Sequence, residues 1–169
     1  MTQAVGSEVV FRSFRPGDQR AFRELNEAWI EQHFRLEDKD RETLGDPDKQ
    51  ILAKGGHIVI AERAGRPVGC CALIALGDGH FEVAKMTVAE GERGQGLGHQ
   101  LLAYVIQFAQ ENSIKRLYLE TNTKLQTAMR VYEAAGFRHV PADRVKPSPY
   151  TRANVYMEMV LKREISAVR

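Results

Sequence analysis

The stretch ERGQGLGHQLL, residues 92–102, places three glycines on alternate positions and then continues into an apolar helical pattern. Glycine loops that open a helix often hold phosphate, because backbone N–H groups and the positive helix end face the anion. A nucleotide-hydrolase loop ends in Gly-Lys-Ser/Thr, but here Gly98 precedes His99 and Gln100, so that type is excluded. The sequence therefore predicts either a phosphate site of another type or a plain glycine-rich turn before a core helix.

A dinucleotide loop is the second alternative. It needs G-x-G-x-x-G after the first strand of a parallel sheet, whereas here the third glycine comes one residue early and an antiparallel meander is predicted before the loop. Glu120 does fall near the distance expected of a ribose-binding acid. This alternative stays open on that coincidence.

Three further patterns lie around the loop. The loop itself reads Arg-x-x-Gly-x-Gly from Arg93 to Gly98, the segment MRVYEAAGF at 129–137 ends a predicted helix in Tyr-x-x-x-Gly-Phe, and FEVAKMTV at 81–88 is a predicted strand before the loop. Together these segments resemble the signatures of the GNAT N-acetyltransferase superfamily. The specific motifs cover residues 81–102 and 117–137.

The resemblance implies acetyl-CoA as cofactor, CoA as product, and Tyr132 as the general acid that protonates the leaving thiolate, with a buried core tyrosine as the alternative. The five histidines show no metal-ligand spacing, so no metal is expected. Many family members carry Asn seven residues before this tyrosine, where this chain has Leu125, although Asn122 lies nearby. The residues expected to contact the cofactor are Met86, Thr87, Val88, Arg93, Gly94, Gln95, Gly96, Leu97, Gly98, His99, Asn122 and Tyr132.

The element order predicts an α+β fold in one domain spanning residues 1–169. About seven strands form a mixed, mostly antiparallel sheet flanked by about four helices, in the order β-α-α-β-β-β-α-β-α-β-β. The charged segment 35–50 ends in GDPDKQ, residues 45–50, which is interpreted as a loop leading into a short helix up to Lys54. A long polar loop with three prolines precedes the last strand.

The strand 81–88 changes its apolar parity between Val83 and Met86. This indicates either a β-bulge near Ala84–Lys85 or a strand buried on both faces. A bulge is what the resemblance implies, and it would free an N–H near Met86 to polarise a thioester carbonyl.

A base is also required, because an alkylammonium ion has a pKa near 10.4. The resemblance makes Glu82 the candidate base, with Glu120 as second choice and a solvated strand carboxylate as the alternative. Cys70 and Cys71 lie in an apolar run and are interpreted as inert, so direct transfer in a ternary complex is expected.

The amine acceptor is expected between the first helix pair and the late loop. Candidate residues are Trp29, Phe34, Glu120 and Tyr150, with Arg152 in the same loop. The acids Glu37, Asp38, Asp40 and Glu42 either attract a cationic amine or form a solvated helix end. The sequence names no acceptor beyond a small-molecule or peptide amine.

Composition and net charge narrow the expected partners and location of the protein. With a net charge of +2 and no dense basic run, nucleic acid is not an expected partner. No apolar stretch has the length of a membrane span, no signal-peptide pattern appears, and the adjacent cysteines suit a reducing compartment, so a cytoplasmic protein is expected. A homodimer is left open, as is a non-catalytic acyl-CoA-binding or sensing module of the same fold.

Overall fold

Seven strands form one mixed sheet in the computed structural model, which describes residues 8–161. The strands are Val9–Ser13 (β1), His57–Arg63 (β2), Arg66–Gly77 (β3), His80–Val88 (β4), Arg116–Thr121 (β5), Arg138–His139 (β6) and Val155–Val160 (β7). The helices are Gln19–His33 (α1), Asp38–Gly45 (α2), Pro47–Gln50 (α3), Leu97–Glu111 (α4) and Gln126–Ala135 (α5). The spatial order is β1-β2-β3-β4-β5-β7-β6, and β4–β5 is a parallel pair.

The α+β class and the order of the strands are confirmed, with one more helix than the sequence predicts. Helix α3 lies within the GDPDKQ stretch, so the loop prediction is wrong for residues 47–50. The additional helix is α2. A reciprocal capping box starts this helix: the Glu37 side chain accepts from a backbone N–H in the first turn, and Asp40 accepts from the Glu37 N–H. The short helix expected before Lys54 is α3 followed by a single 3₁₀ turn.

Tight hairpins join β2, β3 and β4. Ala64–Gly65 and Asp78–Gly79 are two-residue turns in which both residues have positive φ. That backbone twist matches the twist of the flanking strands, so the two turns fix an antiparallel meander. The meander places β4 at the centre of the sheet, beside β5.

Two core layers cover the two sheet faces. Leu101, Leu102 and Val105 of α4 pack with Cys71 on one face. Phe22 and Ile30 of α1 pack with Cys70 on the other. Adjacent cysteines therefore serve opposite layers, as alternation along a strand requires.

Strand β4 contains the bulge that the parity change predicts. Cys70 pairs with Thr87 and Ala72 pairs with Ala84, so Lys85 and Met86 together oppose Cys71. Lys85 takes a left-handed conformation, with φ of 52°. Phe81, Val83, Met86 and Val88 consequently all pack in the layer against α4. This arrangement excludes the alternative of a strand without a bulge.

The strands β4 and β5 pair only at their beginnings. His80, Phe81 and Glu82 pair with Arg116, Leu117 and Tyr118, and no later β4–β5 pair forms in the described part of the chain. The bulge at Lys85 and Met86 begins three residues after Glu82, the last residue of β4 that pairs with β5. The sheet therefore opens between the ends of β4 and β5, and this opening places the site.

Candidate active site

A cavity of about 530 Å³ occupies the opening between β4 and β5. One set of its lining residues, here called the aromatic end, is Trp29, His33, Phe34 and Tyr150. A second set, here called the glycine-loop end, is Met86, Thr87, Val88 and Arg93. Glu82, Glu120, Asn122 and Tyr132 also line it. The structure thus brings together most of the residues singled out from the sequence.

Two carboxyl groups also line this cavity. Glu82 lies on β4 three residues before the bulge, and Glu120 lies near the end of β5. Burial raises the pKa of Glu82 to about 7, and the nearby charge of Glu120 adds to the rise, while Lys85 opposes it. Burial also raises the pKa of Glu120, and Ser148 opposes that change. A carboxyl with a pKa near neutrality can accept a proton at physiological pH.

Tyr132 projects from the middle of α5. Its ring makes an edge contact with Phe137, with ring centroids 6.1 Å apart. Burial raises the pKa of the Tyr132 phenol above its ordinary value. The phenol is therefore neutral at physiological pH and carries a proton that it can donate.

The glycine loop lies at the start of α4, outside the cavity lining. Gly94 and Gly96 have φ of 78° and 79°, a region that side chains with a Cβ rarely adopt. Gly96 is the N-cap of α4, so the first N–H groups of this helix have no acceptor within the helix. No heavy atom lies within 4 Å of an ideal Cβ at Gly94, Gly96 or Gly98. The loop thus offers an open backbone surface suited to an anion.

Other predicted cofactor residues are held by protein contacts. Arg93 donates to the Val88 carbonyl at 3.2 Å and to Gln32 at 2.8 Å. Asn122 donates to the Arg152 carbonyl at 2.6 Å and accepts from the Lys124 N–H at 2.8 Å. Leu97 is buried in the core beneath the loop, and Gln95 and His99 are exposed beside it.

The dinucleotide alternative does not fit this fold. The glycine loop follows a strand whose long neighbour β3 is antiparallel, not the first strand of a parallel sheet. Glu120, its expected ribose acid, instead lies beside Glu82. The dinucleotide interpretation is therefore wrong.

A buried ionic cluster lies against the aromatic end. Asp40 is 0% exposed and accepts from Lys85 Nζ at 2.7 Å and from both terminal nitrogens of Arg152 at 2.7 Å. Lys85 Nζ also donates to Tyr150 Oη at 3.1 Å. Glu37 accepts from Arg152 at 3.1 Å. The bulge, the first turn of α2 and the late loop meet at one carboxylate.

The sequence did not reveal this cluster as a unit. The sequence predicts that Asp40, like its three acidic neighbours, either attracts a cationic amine or lies at a solvated helix end. Asp40 is instead buried, while Asp38 and Glu42 are exposed. The role of Lys85 was missed. Its place at the bulge was the available signal, because a side chain at a left-handed bulge residue leaves the regular alternation of its strand.

Replacing Asp40 by asparagine should destabilise the fold by about 3 kcal/mol, since two buried cations would then face a neutral amide. Urea unfolding measures this free energy. Asp38→Asn is the matched control on the same helix: its exposed side chain pairs with Arg41, and its loss should cost about 0.5 kcal/mol or less. Equal destabilisation by both changes would contradict a special role for Asp40.

Asp40→Asn should also change how the free energy of unfolding depends on pH in acid. Despite burial, which acts in the opposite direction, hydrogen bonds from Arg152 and Lys85 lower the pKa of Asp40 to about 2. A depressed carboxyl pKa stabilises the fold above its unfolded value, near 3.9, and that contribution is lost as pH falls towards 2. Asp40→Asn should lack this component of acid unfolding between about pH 4 and pH 2.

Comparison with protein families matches the model described as Acetyltransferase (GNAT) family to residues 19–137, more than half of the chain. The chain belongs to the GNAT family. The match runs from α1 to Phe137 and so includes the bulged strand, the glycine loop and Tyr132. The resemblance seen in the sequence is confirmed.

Curated GNAT relatives are similar over part of their length. N-acetyltransferase 8F1 of Rattus norvegicus is 30% identical over 58% of this chain and 47% of its own length. The uncharacterized N-acetyltransferase YjgM of Escherichia coli K12 is 31% identical over 58% of this chain and 64% of its own. Mycothiol acetyltransferase of Acidothermus cellulolyticus is 31% identical over 80% of this chain and 46% of its own. The chain thus spans about half to two thirds of the relatives it matches.

Solved structures support the GNAT fold. A GNAT-family acetyltransferase of Staphylococcus aureus Mu50 superposes with a TM-score of 0.82 at 23% identity, covering 92% of this chain and 100% of that one. The yncA protein of Salmonella typhimurium, solved with its cofactor acetyl-CoA, superposes with a TM-score of 0.69 at 20% identity, covering 93% and 96%. At these identities the likeness concerns the fold.

Residues 8–161 contain no cluster of three or more His, Cys, Asp or Glu side chains able to hold a metal ion. Within the same range, none of the helices combines the length and apolar character of a membrane span.

Proposed function

We propose that the protein is an N-acetyltransferase that moves the acetyl group of acetyl-CoA to a primary amine while both are bound. The observation that carries this proposal is the pair of groups in one cavity: a Glu82 carboxyl with a pKa of about 7 and a neutral, protonated Tyr132 phenol. One can accept a proton and the other can donate one at the same pH. Family membership supports the choice of reaction.

The open glycine loop fits the diphosphate of the cofactor. Residues Arg93 to His99 would hold it through backbone N–H groups and the N-terminal end of α4, with Met86–Val88 along the pantetheine arm. An N–H freed by the bulge near Met86 would face the developing oxyanion. When bound, acetyl-CoA supplies the acyl thioester.

The residues of this chain then move two protons. Glu82 takes the proton that the ammonium must lose before its nitrogen can attack, with Glu120 as second choice. The new C–N bond forms as the C–S bond breaks, and Tyr132 donates its proton to the departing sulfur. The attacking nitrogen loses its second proton as the amide forms, and this proton replaces the one that Tyr132 has given up. Burial raises the pKa of Cys70 to about 12, so this thiol is a poor candidate for an acyl-enzyme intermediate.

Thermal denaturation with acetyl-CoA, CoA, ATP or NAD tests the cofactor assignment. At about 100 times Kd a ligand adds about 2.7 kcal/mol of stability, so acetyl-CoA and CoA should raise Tm clearly. ATP and NAD should have little effect. A response to NAD without one to CoA would contradict the proposal.

Release of the CoA thiol over a panel of amines tests catalysis. Leu125 lines the cavity at a position where many relatives carry Asn, and this departure is the feature that favours a non-catalytic acyl-CoA-binding module. Such a module would bind acetyl-CoA without turnover on any amine, peptide or polyamine. Turnover is expected instead.

Gly98→Ala should separate cofactor binding from folding. Gly98 lies in the first turn of α4 with space around its Cα, so alanine should leave Tm unchanged or slightly raised. The new methyl group would stand where the diphosphate approaches, and Kd for acetyl-CoA, measured by calorimetry, should rise about tenfold. Gly45→Ala, another helical position with open space, is the control and should leave Kd unchanged. Equal Kd values for both variants would place the diphosphate elsewhere.

A further inference from the structure

The charges around the aromatic end are not balanced. Lys85 and Arg152 line the cavity, but both are neutralised from behind by Asp40, and Arg152 also by Glu37. Glu82 and Glu120 form no ion pair with any described residue, and Glu120 Oε2 is buried without a hydrogen-bond partner among them. Arg93 and Lys124 also line the cavity without an ion pair among the described residues, but Arg93 is assigned to the cofactor and Lys124 lies two positions from Asn122, another residue expected to contact it. The charges left for the acceptor are therefore those of Glu82 and Glu120, which are negative.

Aromatic rings form the rest of this end. The Trp29 ring lies 5.0 Å from the His33 ring and 6.2 Å from the Phe34 ring, measured between centroids. Trp29 and Phe34 are partly exposed on the cavity. The Tyr150 ring is already covered by Lys85 at 4.6 Å and Arg152 at 4.4 Å. Trp29 and Phe34 thus offer the apolar surface that remains for a ligand.

We propose that the acceptor is a primary monoamine that carries an apolar, aromatic group and no carboxylate. The inference rests on the proposed function, because it names the amine for that same cavity. The ammonium lies near Glu82 and Glu120, and the apolar group packs against Trp29 and Phe34. The ammonium would thus contact carboxyls that have no ion pair, and the apolar group would cover rings that are partly exposed on the cavity.

Other amine classes meet specific obstacles. An amino acid would bring its carboxylate beside two unpaired carboxyls, while Lys85 and Arg152 are held by Asp40. A diamine would need a partner for its second ammonium, and within the described residues the cavity lining supplies only Glu82 and Glu120, which the reacting amine already uses.

Four commercial amines test the class at saturating acetyl-CoA, with CoA thiol release as readout and rates expressed per concentration of free base. 2-Phenylethylamine should exceed phenylalanine in kcat/KM by about 100-fold or more, because like charges repel strongly in a desolvated site. Phenylalanine amide, which keeps the ring and the amine but has no carboxylate, should recover most of that loss. 1,4-Diaminobutane should be at least about tenfold poorer than 2-phenylethylamine, since it lacks the apolar group.

A variant tests the aromatic contact separately. Trp29→Ala should raise KM for 2-phenylethylamine about tenfold, whereas KM for ethylamine, which cannot reach the rings, should not change. Trp29→Phe should restore the KM for 2-phenylethylamine, which a general loss of structure would not allow. An equal rise for both amines in Trp29→Ala would overturn the contact.

The outcomes separate the two proposals. Faster turnover of phenylalanine or 1,4-diaminobutane would overturn the substrate class and leave the acetyltransferase activity standing. An absence of thiol release with every amine, despite stabilisation by acetyl-CoA, would overturn the activity itself and the substrate class with it.

Discussion

Replacing Tyr132 by phenylalanine is expected to lower kcat about 100- to 1,000-fold, the range that general acid catalysis contributes. The change removes one oxygen and retains the ring that packs on Phe137. KM for acetyl-CoA should change little, because the proton is needed in the transition state and not in the bound complex. Steady-state thiol release measures both constants.

Tyr104→Phe is the control for this experiment. Tyr104 stacks on Phe11 at 5.2 Å, on α4 and away from the cavity lining, so loss of its hydroxyl should leave kcat unchanged. A Tyr132→Phe enzyme with the kcat of the unchanged protein would end the assignment of Tyr132 as the acid.

Replacing Glu82 by glutamine is expected to have the second large effect. In the unchanged protein, kcat/KM should rise with pH up to about 7, because only the ionised carboxylate accepts a proton and the pKa of Glu82 is about 7. Glutamine cannot ionise, so this acidic limb should disappear and the plateau rate should fall about 100-fold or more. A pH–rate profile of the variant measures both changes.

Two further variants test whether the acidic limb of the pH–rate profile belongs to Glu82. Glu120→Gln should keep it but move it to lower pH, because the charge of Glu120 raises the pKa of Glu82. Glu158, on β7, is a strand carboxylate paired with Arg116. Glu158→Gln should leave the profile unchanged. A Glu82→Gln profile that keeps its acidic limb would exclude Glu82 as the base.

Local patterns predicted the centre of the fold well. The parity change in β4 is a property of a few consecutive residues, and it located the bulge because one apolar face must stay buried whatever surrounds the strand. The glycine loop was equally local, since positive φ at Gly94 and Gly96 and the following apolar stripe depend on neighbours in sequence. These features place Glu82 and Arg93, the first residue of the loop, in one cavity, with the glycines beside it.

The aromatic end was beyond such patterns. Asp40 resembles any acid in a charged helix, and nothing near it in sequence indicates burial. Its burial depends on Lys85 and Arg152, which come from distant segments and supply the compensating charge. A single sequence carries no signal for such a three-way contact, so the helix α2 and its ionic cluster were both missed.

The ionic cluster also bears on how the chain acquires its structure. Strands β3 and β4, the glycine loop and α4 follow one another along the chain, so the half proposed to face the cofactor forms through short-range contacts. Asp40 and Arg152 are 112 positions apart, and closing a loop of that length is slow relative to local pairing. The aromatic end should therefore be completed late in folding, after the cofactor half has taken shape.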